Sequence, residues 1–216
     1  MNVAIHQKPI PVAQKIEQHA LRELHAAASQ RLRAQLGMHL EESGGALLSA
    51  FSRDPSIVLN RVSGLGLVTP ITPQQIDNII DFYRHAGVGR FFLQDCPQAT
   101  PAERITWYEE AGLIQQRAWM KFCHNLESLP PMSKELVVEP VDATRAIECA
   151  SIVVHGFDLQ APTAELLATM ILRPGWHSVM VRIREKVAGT AGLYINGDIG
   201  WCDWAATHPD YRGRGV

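Results

Sequence analysis

The chain has 216 residues, enough for one large domain or two small ones, each able to bury a core. Hydrophobic residues at 46% and charged residues at 19% exclude a disordered or low-complexity chain, and a formal net charge of -2 excludes the broad positive field that gathers nucleic acid. No apolar run approaches the roughly 20 residues that cross a bilayer, no cleavable signal opens the chain, and the four cysteines show no C-x-x-C spacing. A reduced, cytoplasmic protein without membrane contact is expected. The histidines form no H-E-x-x-H pair, so no metal site is expected either.

From Ala13 to Leu36 apolar residues recur at Ile16, Ala20, Leu24, Ala28, Leu32 and Leu36, which predicts one long helix whose stripe needs a partner surface. Ser56 to Val62 is β-branched and bounded by Asp-Pro and Ser-Gly, a predicted strand. Thr72 and Gln75 form a capping-box pair around Pro73, opening a helix that Gly87 ends. The same grammar repeats with a strand at Arg90 to Gln94, a helix start at Thr100, Pro101 and Glu103, and a further strand from Ile114 to Phe122. Strand, helix and strand in tight succession predict an α/β layer over residues 1–128, and the run SLPPMS places a linker at 129–134.

A second unit, residues 135–216, starts with the strand Glu135 to Val141, with Asp142 placed to cap a helix from Ala146 to Phe157. A short helix follows with Leu166, Leu167, Met170 and Ile171, stopped by Pro174-Gly175. Three strands are predicted from Trp176 onward, the last two joined by Asn196-Gly197-Asp198 as a hairpin turn. The chain then reads Thr207 to Val216, THPDYRGRGV.

Arg212, Gly215 and the position after Val216 would fill the pattern Q/R-x-x-G-x-G/A, whose final Gly or Ala the sequence does not include, and with the order β-α-α-β-β-β before it the second unit resembles the first half of a GNAT acyltransferase domain. The resemblance implies a fold β-α-α-β-β-β-α-β-α-β-β, a mixed sheet flanked by helices, of which the later elements would lie beyond Val216. Glycines and free N–H groups at a helix start suit a pyrophosphate, and arginine adds cation charge. The resemblance assigns acetyl-CoA to Ala205, Ala206 and Thr207 along the fourth strand and to Arg212, Gly213, Arg214, Gly215 and Val216 in the loop. It implies an N-acetyltransferase acting on a primary amine of a small molecule or peptide. The alternative is a non-catalytic fragment or binding domain with an incomplete cofactor site.

The first unit carries a fainter resemblance to the same family. Its FFLQ strand, the helix with Tyr108 and Gly112-Leu113, and the following strand match later GNAT elements, so it reads as a degenerate GNAT-like domain in a tandem α/β (α+β) arrangement. Arg61 to Gly66, RVSGLG, matches R-x-x-G-x-G literally, but LVTPITP follows where a helix should start, and a structural strand-end turn is expected. For a general base the candidates are Asp203 first, then Asp158, Glu165 and His155; Cys202 on a half-buried strand is read as inert packing, and Tyr108 is given no role. An open sheet predicts exposed Trp201 and Trp204 and self-association, a homodimer among its outcomes.

Overall fold

The computed structural model describes residues 9–127, 136–183 and 185–213. The apolar stripe expected as one helix is broken in two, α1 (Pro9–Ala26) and α2 (Gln30–Leu36). Ser29 makes the break: its backbone is extended, and its hydroxyl accepts from the Leu32 N–H, satisfying a donor that a helix start leaves free. Gly37 ends α2 in the left-handed region at φ 61.

A hairpin that the sequence reading did not anticipate comes next, β1 (Met38–Ser43) and β2 (Ala46–Phe51), closed by Gly44 and Gly45 at φ 55 and 82. Positive φ at both central residues is the geometry that matches the twist of antiparallel strands. Every residue of β2 is buried, so it shows no period-two alternation to read. The strand expected at Ser56 to Val62 shrinks to β3 (Arg61–Ser63). Residues before it form a turn because the Asn60 amide donates to the Asp54 and Ser56 carbonyls, and its oxygen accepts from the Phe51 N–H at 2.7 Å.

Helix α3 (Pro73–Ala86) starts and stops at the expected residues, with Thr72 accepting from the Gln75 N–H and Gly87 left-handed at φ 75. The Gln75 side chain does not return to Thr72; it donates to the Ser43 carbonyl and ties the helix to the β1–β2 hairpin. β4 (Phe92–Leu93) lies parallel to β3, with α3 as the crossover, and α4 (Arg104–Glu110) begins after Glu103, which makes no side-chain cap bond. The strand expected at Ile114 to Phe122 is absent. That segment runs without a ladder, with Ile114, Met120 and Phe122 exposed, and is tied down by Trp119 against Phe92 and by Lys121 against Glu17.

The second half is β5 (Val137–Pro140), α5 (Ala146–Phe157), α6 (Thr163–Met170), β6 (Trp176–Ile183), β7 (Lys186–Asn196) and β8 (Ile199–Thr207). Its sheet has the order β5-β6-β7-β8, antiparallel throughout, and the first sheet has the order β1-β2-β3-β4. Asp142 accepts from the Thr144 and Arg145 N–H groups just before α5, and Asp158, rather than Gly156, takes the left-handed position at its end. The order of the second half is β-α-α-β-β-β. The first half runs α-α-β-β-β-α-β-α, the consecutive elements that come after the opening strand in the order the GNAT resemblance implies.

The largest apolar cluster is shared between the halves. Leu24, Leu32, Leu36, Phe51 and Leu59 pack with Val153, Leu166, Met170, Trp176 and Trp204. Each large side chain removed from water there contributes roughly 1.5–3 kcal/mol. The expectation of exposed tryptophans is overturned for Trp204, which is 4% exposed and packs edge-on to Phe157, while Trp201 is half-buried. The first half covers the face that an isolated sheet would leave open. Asp54, itself 1% exposed, crosses the boundary: one carboxylate oxygen accepts from Ser56 and the other from the Gln160 N–H at 2.8 Å, just ahead of α6.

His25 is buried in the same core, its ring edge-on to Phe51. Ser49 donates its one hydroxyl proton to the Leu59 carbonyl, so His25 Nε2 must donate to Ser49 Oγ, 2.9 Å away. Nδ1 is left without a partner, and burial, helped by Arg33 and His39, pushes the ring from its ordinary 6.5 down to about 3. The folded state therefore holds neutral His25, and stability that is complete above pH 6.5 is lost as pH falls toward 3. The wild-type melting temperature should fall across that window, and the slope should flatten in His25→Gln. Asp54→Ala should cost about 1–3 kcal/mol in urea unfolding, because a buried N–H loses its acceptor.

Candidate functional site

Asp203 lies on β8, beside an irregularity in its pairing with β7. Gly192 faces Asp203 and Thr190 faces Ala206, so Trp204 and Ala205 together oppose Ala191. This is a β-bulge, and Trp204 occupies it at φ 55, a backbone region that disfavours residues with a Cβ. The Asp203 carboxylate accepts from the Trp204 N–H at 2.9 Å and from the Trp201 indole N–H at 3.2 Å. The residue is half-buried, and burial raises its pKa above the ordinary 3.8 despite the Arg61 charge.

Asp203 belongs to a polar cluster that the sequence reading missed. Helix α1 presents Gln14, Glu17 and Gln18 beside its apolar stripe, and the structure turns them toward the end of β3. Glu17 is 1% exposed and pairs with Arg61 of β3 at 3.5 Å and with Lys121. Gln94, just after β4, donates to Glu17 Oε1 at 3.1 Å. Burial alone would raise the Glu17 pKa, but Arg61, Lys121 and Gln94 together hold it below its usual value. Trp119 lies 6.0 Å from the Arg61 guanidinium, and Trp201 5.4 Å from the Lys121 ammonium. The spacing of Gln14, Glu17 and Gln18 was the available sequence signal, since positions three and four apart share a helix face.

The other expected site residues separate. Ala205, Ala206 and Thr207 complete β8, with Ala206 packed close to α5 at Gly156. Arg212 and Gly213 follow a 3-10 turn, Pro209–Tyr211, and are exposed; Arg214, Gly215 and Val216 lie outside the described residues, as does the linker at 129–134. Asp158 and His155 are exposed at the end of α5, and Glu165 is exposed in an ion pair with Arg31. Cys202 is exposed rather than half-buried, facing away from the core that Trp204 enters. Tyr108 is buried in the first half against Asp95. Among the described residues no group of His, Cys, Asp and Glu could hold a metal ion, and no helix is long and apolar enough to cross a membrane.

The two glycine turns differ in what fills them. After β3, the Gln14 side-chain oxygen accepts from the Ser63 hydroxyl and from the Gly64 N–H, and the Gln18 amide donates to the Gly45 and Ser63 carbonyls. A Cβ at Gly64 would meet the Gln18 nitrogen at 2.3 Å, and one at Gly66 would meet Ile71 at 2.8 Å. The space where a phosphate would approach is occupied by protein, and α3 begins only at Pro73. At Gly213, φ is 74 and, among the described residues, a Cβ would meet nothing within 4 Å. The first turn has no room for a pyrophosphate.

The chain matches no protein-family model, and a search of curated proteins finds no relative. Its structure is similar to a GCN5-related N-acetyltransferase from Kribbella flavida, with TM-score 0.54 and 13% identity over 94% of this chain and 76% of that one. The fold is GNAT-like. The likeness covers both halves and at this identity speaks for the fold alone. A functionally unknown conserved protein from Staphylococcus epidermidis ATCC 12228 has TM-score 0.46 and 8% identity over 88% of this chain and 80% of that one, too distant to carry an argument.

A raised carboxylate pKa has a defined effect on stability. Asp203 favours the folded state fully below its ordinary pKa of 3.8, and that contribution is lost as pH rises through the higher folded value. Asp203→Asn should therefore gain on the wild type in melting temperature between pH 4 and pH 8. A constant difference over that range would remove the assignment.

Proposed function

We propose that the chain is an acyltransferase of the GNAT kind, taking acetyl-CoA as cosubstrate and a primary amine of a small molecule or peptide as acceptor. The observation that carries this reading is β8 itself: a bulged strand with a desolvated carboxylate at its bend, running into an open glycine turn. Arg212 and Gly213 would hold the pyrophosphate through charge and backbone N–H, joined by Arg214, Gly215 and Val216, and the backbone of Ala205, Ala206 and Thr207 would line the pantetheine arm. Acetyl-CoA supplies the activated acyl group as a thioester.

Asp203 is the base. A carboxylate whose pKa is raised by burial keeps a stronger affinity for a proton than a solvated one, and it lies where β8 bends. It takes the proton that the amine loses, directly or through one water, as the new N–C bond forms and the C–S bond breaks; the departing sulfur leaves as a thiol with a proton from solvent. The first half is read as a second GNAT-like unit whose own turn is filled by Gln14 and Gln18, so it shapes the acceptor side.

Calorimetric titration with acetyl-CoA should show saturable binding, and a thiol-reactive dye should report thiol release only when an alkylamine is added. Asp203→Asn should lower that rate on the order of a hundredfold while leaving acetyl-CoA binding intact. Absence of binding, or release that ignores the amine, would overturn the reading.

A further inference from the structure

We propose that Glu17, together with the Trp201 ring that faces its ammonium partner, is a binding site for a primary ammonium on an unbranched alkyl chain, and that Lys121 occupies it as a tethered stand-in. The Lys121 ammonium pairs with a carboxylate that is 1% exposed and lies 5.4 Å from the Trp201 ring. A buried carboxylate with an indole beside it is the chemistry that recognises an alkylammonium, by ion pairing and by attraction to the ring face. Lys121 arrives there on a segment that forms no ladder and is largely exposed from Ile114 to Phe122, held by Trp119 against Phe92 and by the Lys121 pair itself, so its withdrawal breaks no strand pairing.

An independent observation points to a ligand at the same place. Gln94, 6% exposed, uses its amide nitrogen on Glu17 and leaves its carbonyl oxygen buried with no partner. An ammonium carries three donors, and Glu17 satisfies only part of them. A ligand free of the backbone tether can place a second N–H on Gln94 Oε1 while the first meets Glu17. Arg61 also faces Glu17, 3.5 Å from the carboxylate oxygen that Lys121 does not use, so one cation stays beside the carboxylate when Lys121 leaves.

The site deepens the acyl-transfer reading by naming a class of acceptor, and it rests on that reading only for the chemistry after binding. Asp203 feels both Glu17 and Arg61 electrostatically, so an amine on Glu17 lies near the proposed base. Binding is therefore measured without acetyl-CoA: a failure here leaves the cofactor test standing, and failure of the cofactor test leaves this site standing.

Lys121→Ala removes a propylammonium-sized group, and n-propylamine is the probe. The variant should melt below the wild type, and n-propylamine at neutral pH should restore it saturably and shift indole emission. Ammonium chloride, which has charge without a chain, and n-propanol, which has a chain without charge, should do neither. Apparent affinity should be on the order of tenfold tighter in Lys121→Ala than in the wild type, where the tethered lysine competes. Lys121→Met, which fills the space without charge, should fold and not respond. Equal effects of the two control solutes, or an undiminished response in Glu17→Gln/Lys121→Ala, would overturn the proposal. If Lys121→Ala does not fold, the wild type decides: n-propylamine must shift its indole emission saturably, and must not do so in Glu17→Gln.

Discussion

Burial of α1 between the two sheets is the constraint on which the rest depends. Its apolar side, Ile16, Ala20 and Leu24, enters the cluster that contains Val153, Met170 and Trp204, and its polar side carries Gln14, Glu17 and Gln18. Lys15, Arg22 and Glu23 keep their charges on the outer stripe of α1, whereas Glu17 points into protein and is stabilised there by Arg61, Lys121 and Gln94. The same contact shields Trp204 and brings Asp203 of the second sheet into the field of Glu17 and Arg61 of the first half. The core and the site thus share one cause.

The two glycine turns show how one local pattern acquires opposite meanings. Gly64 to Gly66 and the segment from Arg212 each come after a strand that pairs antiparallel with the one before it, and both use glycine at positive φ. What distinguishes them is the neighbouring helix. Gln14 and Gln18 reach from α1 into the first turn and satisfy its polar groups internally, whereas among the described residues no atom crowds Gly213. A turn whose donors are already satisfied gains little from an anion, while an open one retains its capacity.

Much of the element list was legible where local chemistry is decisive. Thr72, Pro73 and Gly87 bracket α3 because cap bonds and left-handed φ are properties of a few adjacent residues, and the β7–β8 hairpin turns at Gly197 for the same reason. The misreadings share a different origin. Ser29 interrupts a stripe that stays apolar across the break, β2 is buried on both faces and so lacks alternation, and Ile114 to Phe122 has strand composition but no strand beside it. In each case the outcome depends on what packs against the segment. Glu17, Lys121 and Trp119 escaped notice because 104 positions separate the two ends of the Glu17–Lys121 pair.

By itself the sequence determined the order of helices and strands in the second half, and with it a GNAT-like reading that the structural similarity supports at the level of fold. Periodicity, caps and turn residues are short-range quantities, and they survive in one dimension. Only the tertiary structure decided that both halves share a core, that one glycine turn is filled and the other open, and that Asp203 is desolvated beside a carboxylate held by a lysine. Those properties arise from burial and electrostatics between residues far apart in the chain, and the dielectric around a charge is set by everything folded around it.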